Sequence, residues 1–305
     1  MTTDYRIECI PNLSTADPNV LKYIEDAIKA VPNVVLHFTD PGLSANRTVF
    51  TFTGPVTAVF EATEQMIRTA LEHIDMRVHH GVHPRMGAVD VCPFVLLDDP
   101  KHELDLLEKT KAFAAKMASQ FALAIYGYEH LASRPSRRNL ALVRKGEYEG
   151  LEARFNAGDL PDFGPQSFTP EVAKFGATAM GVRPLMVAFN VNLAGDTKEN
   201  LLIKAKRIAG LIRERDGGLP GVKSIGWYIP DLDVVQVSCN LTKPTEAGVC
   251  EVFKRVQELA TEMGCEAPDS ELIGCIPSSQ FNFCSAEDLG LGRFKTFSKE
   301  RILDI

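Results

Sequence analysis

The sequence lacks the features of membrane, secreted and nucleic-acid-binding proteins. No apolar run approaches the roughly 18 residues that a bilayer-spanning helix needs. The opening residues, MTTDYRIECI, hold no basic region followed by an apolar one, so they do not resemble a secretory signal. Positive charge is in deficit, with 33 Lys and Arg against 40 Asp and Glu and a net charge of −7. Because a phosphate backbone selects basic surfaces, we expect small-molecule partners and neither nucleic acid nor membrane.

Cysteine is scarce and shows no metal-binding pattern. The seven cysteines form no CxxC pair, which argues against a thiolate zinc site. Several lie in apolar, strand-like segments, namely ECIPN, DVCPF, QVSCNL and LIGCIP. We therefore predict reduced, buried thiols and a cytoplasmic location.

Strand-like and helix-like runs alternate in the first half of the chain. The β-rich runs are RIECIPNLS, NVVLHFTD, RTVFTFTG and AVDVCPFVLL. Asp17 can cap a helix whose first turn holds Pro18, and apolar residues follow at helical spacing. A second amphipathic stretch follows RTVFTFTG. A helix over about 103–121 and a strand over 122–129 extend this half.

The second half repeats the order with fewer elements. Its strand-like runs are PLMVAFNVNL, VKSIGWYI, DVVQVSCNL and ELIGCIP, with amphipathic stretches between the first and second and between the third and fourth. This β-α-β-β-α-β order is typical of ferredoxin-like sheets. We predict an α+β protein of two ferredoxin-like βαββαβ-type subdomains, 1–183 and 184–305, with helices outside. Their open sheet faces can meet across a ligand cleft.

The stretch 130–183 shows little periodicity and is rich in Pro, Gly and Arg. Long irregular segments in compact proteins are usually functional. From His130 to Gly146 it holds no acidic residue, and its arginines form a candidate carboxylate-binding patch of Arg134, Arg137, Arg138 and Arg144. The following loop, PDFGPQSFTP, could wrap an aromatic, polar ring system.

Three histidines lie within HHGVHPRMGAVDVCPF, residues 79–94. Pro84 disfavours helical backbone at His83, which places that residue in a rigid turn before a buried strand. A histidine fixed there suits general acid/base chemistry. We expect His79 and His80 to be solvated at a helix end, although all three histidines are alternatively ligands of a metal-dependent hydrolase.

Acidic and basic residues near these strands supply the partners that such a base needs. Asp40 and Asp90 are the candidates to orient His83, and Asp90 requires a partner because its strand is apolar. For Asp90, a hydrogen bond to the neighbouring turn is an equally good interpretation. In the loop TDPGLSANRTVF, Asn46 and Arg47 are candidate substrate- or folate-binding residues. Turn chemistry is the alternative interpretation of this loop, but Arg47 is well placed to bind a carboxylate.

The motifs together resemble one known family. ECIPNLS, DPGLSANRTVFTFTGP, HHGVHPRMGAVDVCPF, RKGEYEGL, PDFGP, LMVAFNVNL, IGWYI, VVQVSCNLT and ELIGCIP occur in the order found in glutamate formimidoyltransferases. The resemblance extends from about residue 6 to about residue 285. It implies transfer of a formimino group from N-formimino-L-glutamate to N5 of tetrahydrofolate, in histidine degradation, without a metal.

The resemblance also implies an arrangement of the site. The two subdomains of the family face each other across a tunnel that binds folate, and the family is dimeric. Its catalytic histidine corresponds to His83, and the aspartate before PG to Asp40. Its folate-contacting segment begins at Gly164 and Pro165, includes Ser167 and Phe168, and ends near Gly176. Some members continue into a cyclodeaminase domain, which this sequence does not contain.

From these residues we expect His83, oriented by Asp40, to take the N5 proton and return it to the departing glutamate nitrogen. Arg47 or the arginines of 134–144 would bind the carboxylates of the donor. Two alternatives belong to other classes: the metal-dependent hydrolase, and a folate or amino-acid sensor that binds without turnover. The donor itself, formimino or formyl, stays open.

Overall fold

The computed structural model describes residues 4–305 and is of mixed α and β structure, as the α+β prediction requires. Its contacts divide the chain into two compact units, one ending at Pro184 and the other beginning at Leu185. We refer to them as unit 1 and unit 2. Within the described residues, no helix combines the length and the apolar content that crossing a membrane requires.

Unit 1 contains a sheet of parallel and antiparallel strands. Its helices lie between these strands in the sequence. The strands are β1 (Arg6–Cys9), β2 (Asn12–Leu13), β3 (Val35–Gly42), β4 (Arg47–Pro55), β5 (Val89–Leu96), β6 (Ala124–Glu129) and β7 (Ala177–Val182). The helices are α1 (Pro18–Lys29), α2 (Val56–His73), α3 (Glu103–Phe121), α4 (Leu140–Val143), α5 (Leu151–Asn156) and α6 (Pro170–Phe175).

The first predicted strand is interrupted. β1 and β2 both lie between β4 and β5 and pair with each of them, so they are two parts of one strand. The break falls at Ile10 and Pro11, because Pro11 has no N–H to donate to a neighbouring strand. The sheet then reads β3, β4, β1 with β2, β5, β7 and β6.

The helices of unit 1 begin where the sequence predicts. The Asp17 carboxylate accepts hydrogen bonds from the backbone N–H groups of Asn19 and Val20, at 2.8 and 3.4 Å, and so caps α1. The apolar faces of α1, α2 and α3 pack with β1, β4 and β5 into one core. The opposite face of the sheet is polar at one end and covered by α4, α5 and α6 at the other.

The prediction that 130–183 is irregular was wrong for its last part. β7 lies inside the sheet, parallel to both β5 and β6, and each of its residues is buried. The sequence of β7, ATAMGV, has two β-branched residues, Thr178 and Val182, and includes a glycine. Its propensity to form a strand is therefore weak. Strands buried on both faces also lose the alternating pattern that reveals them. The segment between β6 and β7 holds three short helices, α4 to α6.

Unit 2 is built on an antiparallel sheet. Its elements are β8 (Val187–Leu193), α7 (Lys198–Ile212), β9 (Val222–Ile229), β10 (Val234–Leu241), α8 (Val249–Glu262), β11 (Ser270–Ile273), β12 (Ile276–Pro277) and β13 (Ile302–Leu303). The order across the main sheet is β11, β8, β10 and β9, with all neighbours antiparallel. One face packs against α7 and α8 in an apolar core.

The prediction that the cysteines are reduced was wrong for two of them. Cys250, in the first turn of α8, and Cys284 form a disulfide across 34 residues. The other five cysteines are free and buried. Neither Cys250 nor Cys284 lies in one of the apolar strand segments on which the prediction rested, so those segments carried no information about this pair.

Candidate active site

Asp90 lies at the centre of a buried cluster of charges in unit 1. It is fully buried on β5. Nε and Nη2 of Arg47, the first residue of β4, each lie 3.0 Å from its Oδ2. Arg144, which follows α4, donates from Nη2 to Oδ2 at 2.6 Å and from Nε to Oδ1 at 3.2 Å. The buried carboxylate therefore has the ionic partners that its burial demands.

Asp90 also holds the turn that contains the histidine motif. The backbone N–H of Met86 donates to its Oδ1 at 2.8 Å. The hydrogen bond to the neighbouring turn that the sequence suggested is thus present, and Asp90 also has the partners that its burial requires. Because Oδ1 bonds to Met86 and Arg144, and Oδ2 bonds to Arg47 and Arg144, the carboxylate fixes the turn and both guanidiniums at once.

The cluster carries more positive than negative charge. Two guanidiniums share one carboxylate, and the side chains of Arg47 and Arg144 keep 12% and 15% of their surface exposed. Burial and the charge of Arg144 lower the pKa of Arg47, while Asp90 acts in the opposite direction. An anion at the exposed edges of these side chains would neutralise the second positive charge.

His83 lies beside this cluster and is half-buried. Its Nδ1–H donates to the carbonyl oxygen of Pro84 at 2.8 Å, which leaves the lone pair of the neutral ring on Nε2. Arg144 donates from Nη2 to the same carbonyl oxygen. The pKa of His83 is lowered to about 4, chiefly by burial and then by the charge of Arg47, with Arg144 acting in the same direction. The ring is therefore neutral at pH 7 and able to accept a proton at Nε2.

The expectation that His79 is solvated was wrong, whereas His80 is exposed as predicted. His79 is buried, with 7% of its surface exposed. Its Nε2 bonds to the carbonyl oxygen of Asn46 at 2.8 Å, and its Nδ1 accepts from Nε of Arg85 at 3.3 Å. Both ring nitrogens are engaged by protein groups, so this histidine is unable to ligate a metal as it stands.

Arg85 is a supporting residue that the sequence reasoning did not identify. Its Nη1 and Nη2 donate to Oε2 and Oε1 of Glu149 at 2.7 and 2.6 Å, and Nη2 also donates to the His79 carbonyl at 3.2 Å. The backbone N–H of Tyr148 donates to the Arg85 carbonyl at 2.9 Å. The only signal in the sequence was the motif pair HPRMG and RKGEYEGL, which these bonds join.

The loop between β3 and β4 supports the other side of the histidine segment. Asn46 accepts from the Ala16 N–H at 3.0 Å and donates to the His80 carbonyl at 2.9 Å. A side chain at Gly81 would place its Cβ 2.1 Å from the carbonyl oxygen of Ala45, so glycine is required for this contact. Asp40 lies on β3, which leads into the same loop, and pairs with Val49 of β4.

Comparisons with known proteins identify the family. The "Formiminotransferase domain, N-terminal subdomain" family matches residues 6–183, and the "Formiminotransferase domain" family matches residues 188–297. The chain belongs to the formiminotransferase family. Both units contribute to the match, which fits the quoted motifs in each half.

Two groups of relatives share this formiminotransferase region. The glutamate formimidoyltransferase of Streptococcus pyogenes serotype M1 is 38% identical over 89% of this chain and 89% of its own length. That of Thermoplasma acidophilum is 36% identical over 89% of this chain and 88% of its own. The formimidoyltransferase-cyclodeaminase of Rattus norvegicus is 39% identical over 89% of this chain. The chain spans about half the length of the formimidoyltransferase-cyclodeaminases that it matches.

The arginines of 130–144 differ from one another in their surroundings. Arg134 pairs with Asp159, and Arg137 pairs with Asp159 at 2.9 Å and with Asp162 at 2.6 Å. Both are thus neutralised by acids from outside their own segment. Arg138 is exposed, and Arg144 belongs to the Asp90 cluster.

The loop from 164 to 176 ends against the histidine motif. Gly176 has φ of +69°, and a Cβ there would lie 2.3 Å from the Met86 carbonyl oxygen. Gly87 and Gly176 form an antiparallel bridge. This contact brings the end of the loop to the turn that Asp90 holds.

The start of the same loop lies elsewhere. Gly164 and Pro165 line a shallow concave surface with the last turns of α3, of about 430 Å³. Ser167 is exposed, and Phe168 packs edge-on against Phe155 with ring centroids 5.9 Å apart. None of the residues that line the concave surface belongs to the cluster around Asp90 and His83.

Proposed function

We propose that this chain transfers the formimino group of N-formimino-L-glutamate to N5 of tetrahydrofolate, as a metal-free step of histidine degradation. The observation that carries the proposal is the neutral His83 ring, held by the Pro84 carbonyl beside two guanidiniums that share one carboxylate. The glutamate formimidoyltransferases that share most of their length with this chain support the same activity.

In the proposed reaction, N5 attacks the formimino carbon and a tetrahedral intermediate forms. Nε2 of His83 takes the proton from N5, and the imidazolium then returns it to the glutamate nitrogen as the carbon–nitrogen bond breaks. One histidine serves as base and then as acid, because the proton is moved between two nitrogens of the same intermediate. Binding both reactants side by side supplies the proximity that lowers the barrier.

The exposed edges of Arg47 and Arg144 are the proposed site for a carboxylate of the donor. Two positive charges against one negative charge favour an anion there. An anion so bound would also raise the pKa of His83, because it offsets the charges that lower it. Arg138 is the candidate of the 134–144 group for a more distant carboxylate, whereas ligand binding by Arg134 or Arg137 would require release of Asp159 and Asp162.

Tetrahydrofolate is the proposed co-substrate, bound by the segment that includes Gly164, Pro165, Ser167, Phe168 and Gly176, with Asn46 positioning the loop opposite. The bridge between Gly87 and Gly176 supports this assignment, since it links the segment to the histidine turn. Asp40 is proposed to orient His83, together with the Pro84 carbonyl that accepts from its Nδ1. Asp40→Asn should then lower the rate of transfer.

Further parts of the proposal concern architecture and setting. We classify the two units as ferredoxin-like, supported by the strand order β11, β8, β10, β9 and the corresponding order β5, β1, β4, β3. The division into 1–183 and 184–305, a ligand tunnel, a homodimer and a cytoplasmic location are proposed from the family resemblance. The Cys250–Cys284 disulfide bears on the proposed cytoplasmic location, because disulfides persist mainly in oxidising compartments.

The experiment replaces the proposed base. His83→Ala should lower the rate of transfer to tetrahydrofolate by about a hundredfold or more, because a general base contributes on that order. The assay follows consumption of formiminoglutamate and, separately, of formylglutamate. His80→Ala is the matched control, since His80 is exposed in the same segment. Near-normal turnover by the His83 variant would contradict the proposal, and tetrahydrofolate binding by the native protein without turnover would favour a sensor.

A further inference from the structure

A buried arginine closes the backbone around His83 into a loop. Arg85 donates from Nε to Nδ1 of His79 at 3.3 Å and from Nη2 to the His79 carbonyl oxygen at 3.2 Å. The two residues are 6 positions apart in the chain, and His83 lies between them. Only 6% of the surface of Arg85 is exposed. One guanidinium thus holds together both ends of residues 79–85, which we call the closed loop.

The His79 end of the closed loop is fixed to the strand that carries Arg47. Because Nδ1 of His79 accepts from Arg85, its Nε2 bears the proton and donates to the carbonyl oxygen of Asn46 at 2.8 Å. Asn46 directly precedes Arg47, the first residue of β4. Arg85 therefore selects the tautomer of His79 that holds the backbone beside Arg47.

The Arg85 end of the closed loop is fixed to the turn that carries Arg144. Nη1 and Nη2 of Arg85 donate to the two carboxylate oxygens of Glu149 at 2.7 and 2.6 Å. The Arg85 carbonyl oxygen accepts from the backbone N–H of Tyr148 at 2.9 Å. This turn begins at Arg144, whose carbonyl oxygen accepts from the Glu147 N–H at 2.9 Å. A two-point ionic pair fixes direction as well as distance, so the turn has one position against the closed loop.

The charges that act on His83 lie on the two elements that Arg85 holds and on β5. The guanidiniums of Arg47 and Arg144 lower the pKa of the ring, and Asp90 acts in the opposite direction. Arg85 itself has an acidic partner, which balances its own charge. Its influence on the ring therefore comes through the placement of the other two arginines.

We infer that Arg85 is a positioning residue of the transfer reaction, which holds His83 at a fixed place between the two guanidiniums of the Asp90 cluster. Its own guanidinium already makes four hydrogen bonds to the protein, so it acts on the reactants only through His83. The inference rests on the proposed function, because the reactants are those of formimino transfer.

The test opens the closed loop and follows the His83 ring directly. Arg85→Met fills a similar volume but makes none of these hydrogen bonds. In an NMR titration of the whole protein, the His83 signal of this variant should titrate about one pH unit or more above the native midpoint, because the guanidiniums that lower its pKa can move away. The signal is assigned by its absence from the spectrum of His83→Ala.

The transfer assay gives a second readout of the same variant. We expect kcat of Arg85→Met to fall about tenfold or more, because a base displaced by a fraction of an ångström meets the reactants less often in a reactive geometry. KM should change less than about threefold, since no contact to a reactant is removed. The acidic limb of the pH profile should move upward with the His83 midpoint, because a base with a higher pKa is protonated at a higher pH.

Two further variants separate placement from charge and from stability. Arg85→Lys keeps a cation but cannot make all of the hydrogen bonds of the guanidinium, so its His83 midpoint should also rise. Arg301→Met is the matched control, because Arg301 is likewise buried, at 7% exposure, and donates to two carbonyl oxygens within unit 2. It should lower the melting temperature and leave the His83 midpoint at its native value.

The possible results distinguish a positioning role from the alternatives. A native His83 midpoint in both Arg85 variants would overturn the inference, even if kcat fell with stability. A midpoint that shifts in Arg85→Met alone would also overturn it, by showing a direct effect of charge. Arg85→Lys remains informative if Arg85→Met does not fold, since it keeps a cation beside the acidic partner. Failure of the proposed function is distinct: the His83 titration responds to both variants, but the native protein transfers no formimino group.

Discussion

At the scale of single residues, the site depends on shared partners. The Pro84 carbonyl accepts from both His83 and Arg144, and Asp90 binds both Arg144 and Arg47. A change at Arg144 therefore reaches His83 in two ways, through charge and through the hydrogen bond that fixes the tautomer. These two contributions can be separated by choice of substitution.

Arg144→Met should move the acidic limb of the pH dependence of kcat/KM upward. The sign follows from the cause: Arg144 helps to lower the pKa of His83 to about 4, so its removal raises that pKa toward the usual value. A base with a higher pKa becomes protonated, and inactive, at a higher pH. Arg144→Lys keeps the positive charge, but a lysine cannot hydrogen-bond to both Asp90 and Pro84 as the guanidinium does. The acidic limb of this variant should therefore lie at the native pH, while kcat falls about tenfold.

Lys145→Met is the control, because Lys145 is the adjacent cation and is exposed. It should reproduce the native profile. An acidic limb that stays in place in Arg144→Met would show that this guanidinium does not act on the base.

At the scale of elements, the histidine segment is held between the loop that joins β3 and β4 and the turn that precedes α5. The loop between β3 and β4 contacts it through Asn46, and Glu149 contacts it through Arg85. Neither contact is made within a sheet or a helix. The position of the histidine segment therefore depends on how closely the loop and the turn pack against it.

Gly81→Ala should separate the loop from the histidine segment. The new Cβ would meet the Ala45 carbonyl oxygen at 2.1 Å, so backbone must shift. We expect a loss of stability of about 1–3 kcal/mol and a greater loss of activity, read from urea unfolding and the transfer assay. Gly210→Ala is the control, since its Cβ meets nothing within 4 Å. It lies inside α7 and should gain up to about 1 kcal/mol. Equal stability of the two variants would contradict the close fit.

The disulfide should stabilise the end of unit 2. It joins the first turn of α8 to Cys284 and closes a loop of 34 residues. Loop-closure entropy gives about 3–4 kcal/mol for that length. The double variant Cys250→Ser, Cys284→Ser should lose stability on this order in urea unfolding, and a reducing agent should destabilise the native protein but not the variant. Insensitivity of the native protein to reductant would show that the bond is not formed in solution.

At the scale of the whole molecule, a buried acid links stability to pH. Glu8 of β1 is buried, and burial raises its pKa to about 7, against the opposing charge of Arg183. The folded state therefore holds a proton that the unfolded state, at a pKa of 4.5, has released. Stability from this group is complete below pH 4.5 and is lost as the pH rises through about 7.

Glu8→Gln should flatten the dependence of unfolding free energy on pH between 5 and 8. The native protein should lose up to about 3 kcal/mol relative to the variant over that interval, following the linkage of a shift of this size. Urea unfolding at a series of pH values measures the difference. Parallel curves for the two proteins would rule out Glu8 as the titrating group.

The sequence alone determined those features that depend on neighbours along the chain. Asp17 and Pro18 fixed the start of α1, period-two and helical spacing located β3, β4, β8 to β11 and the long helices, and Pro84 singled out His83. Each of these depends on the conformations open to a few consecutive residues. The prediction of an α+β fold follows from their order.

Only the tertiary structure decided which distant residues meet. Asp90 gained its partners from 43 and 54 positions away, and Arg137 found its acids more than twenty positions downstream. β7 entered the sheet because β5 and β6 cover its edges, although its own residues favour a strand weakly. The physical reason is the same throughout. Burial gives strength to ionic and backbone hydrogen bonds, and burial is a property of the packed fold.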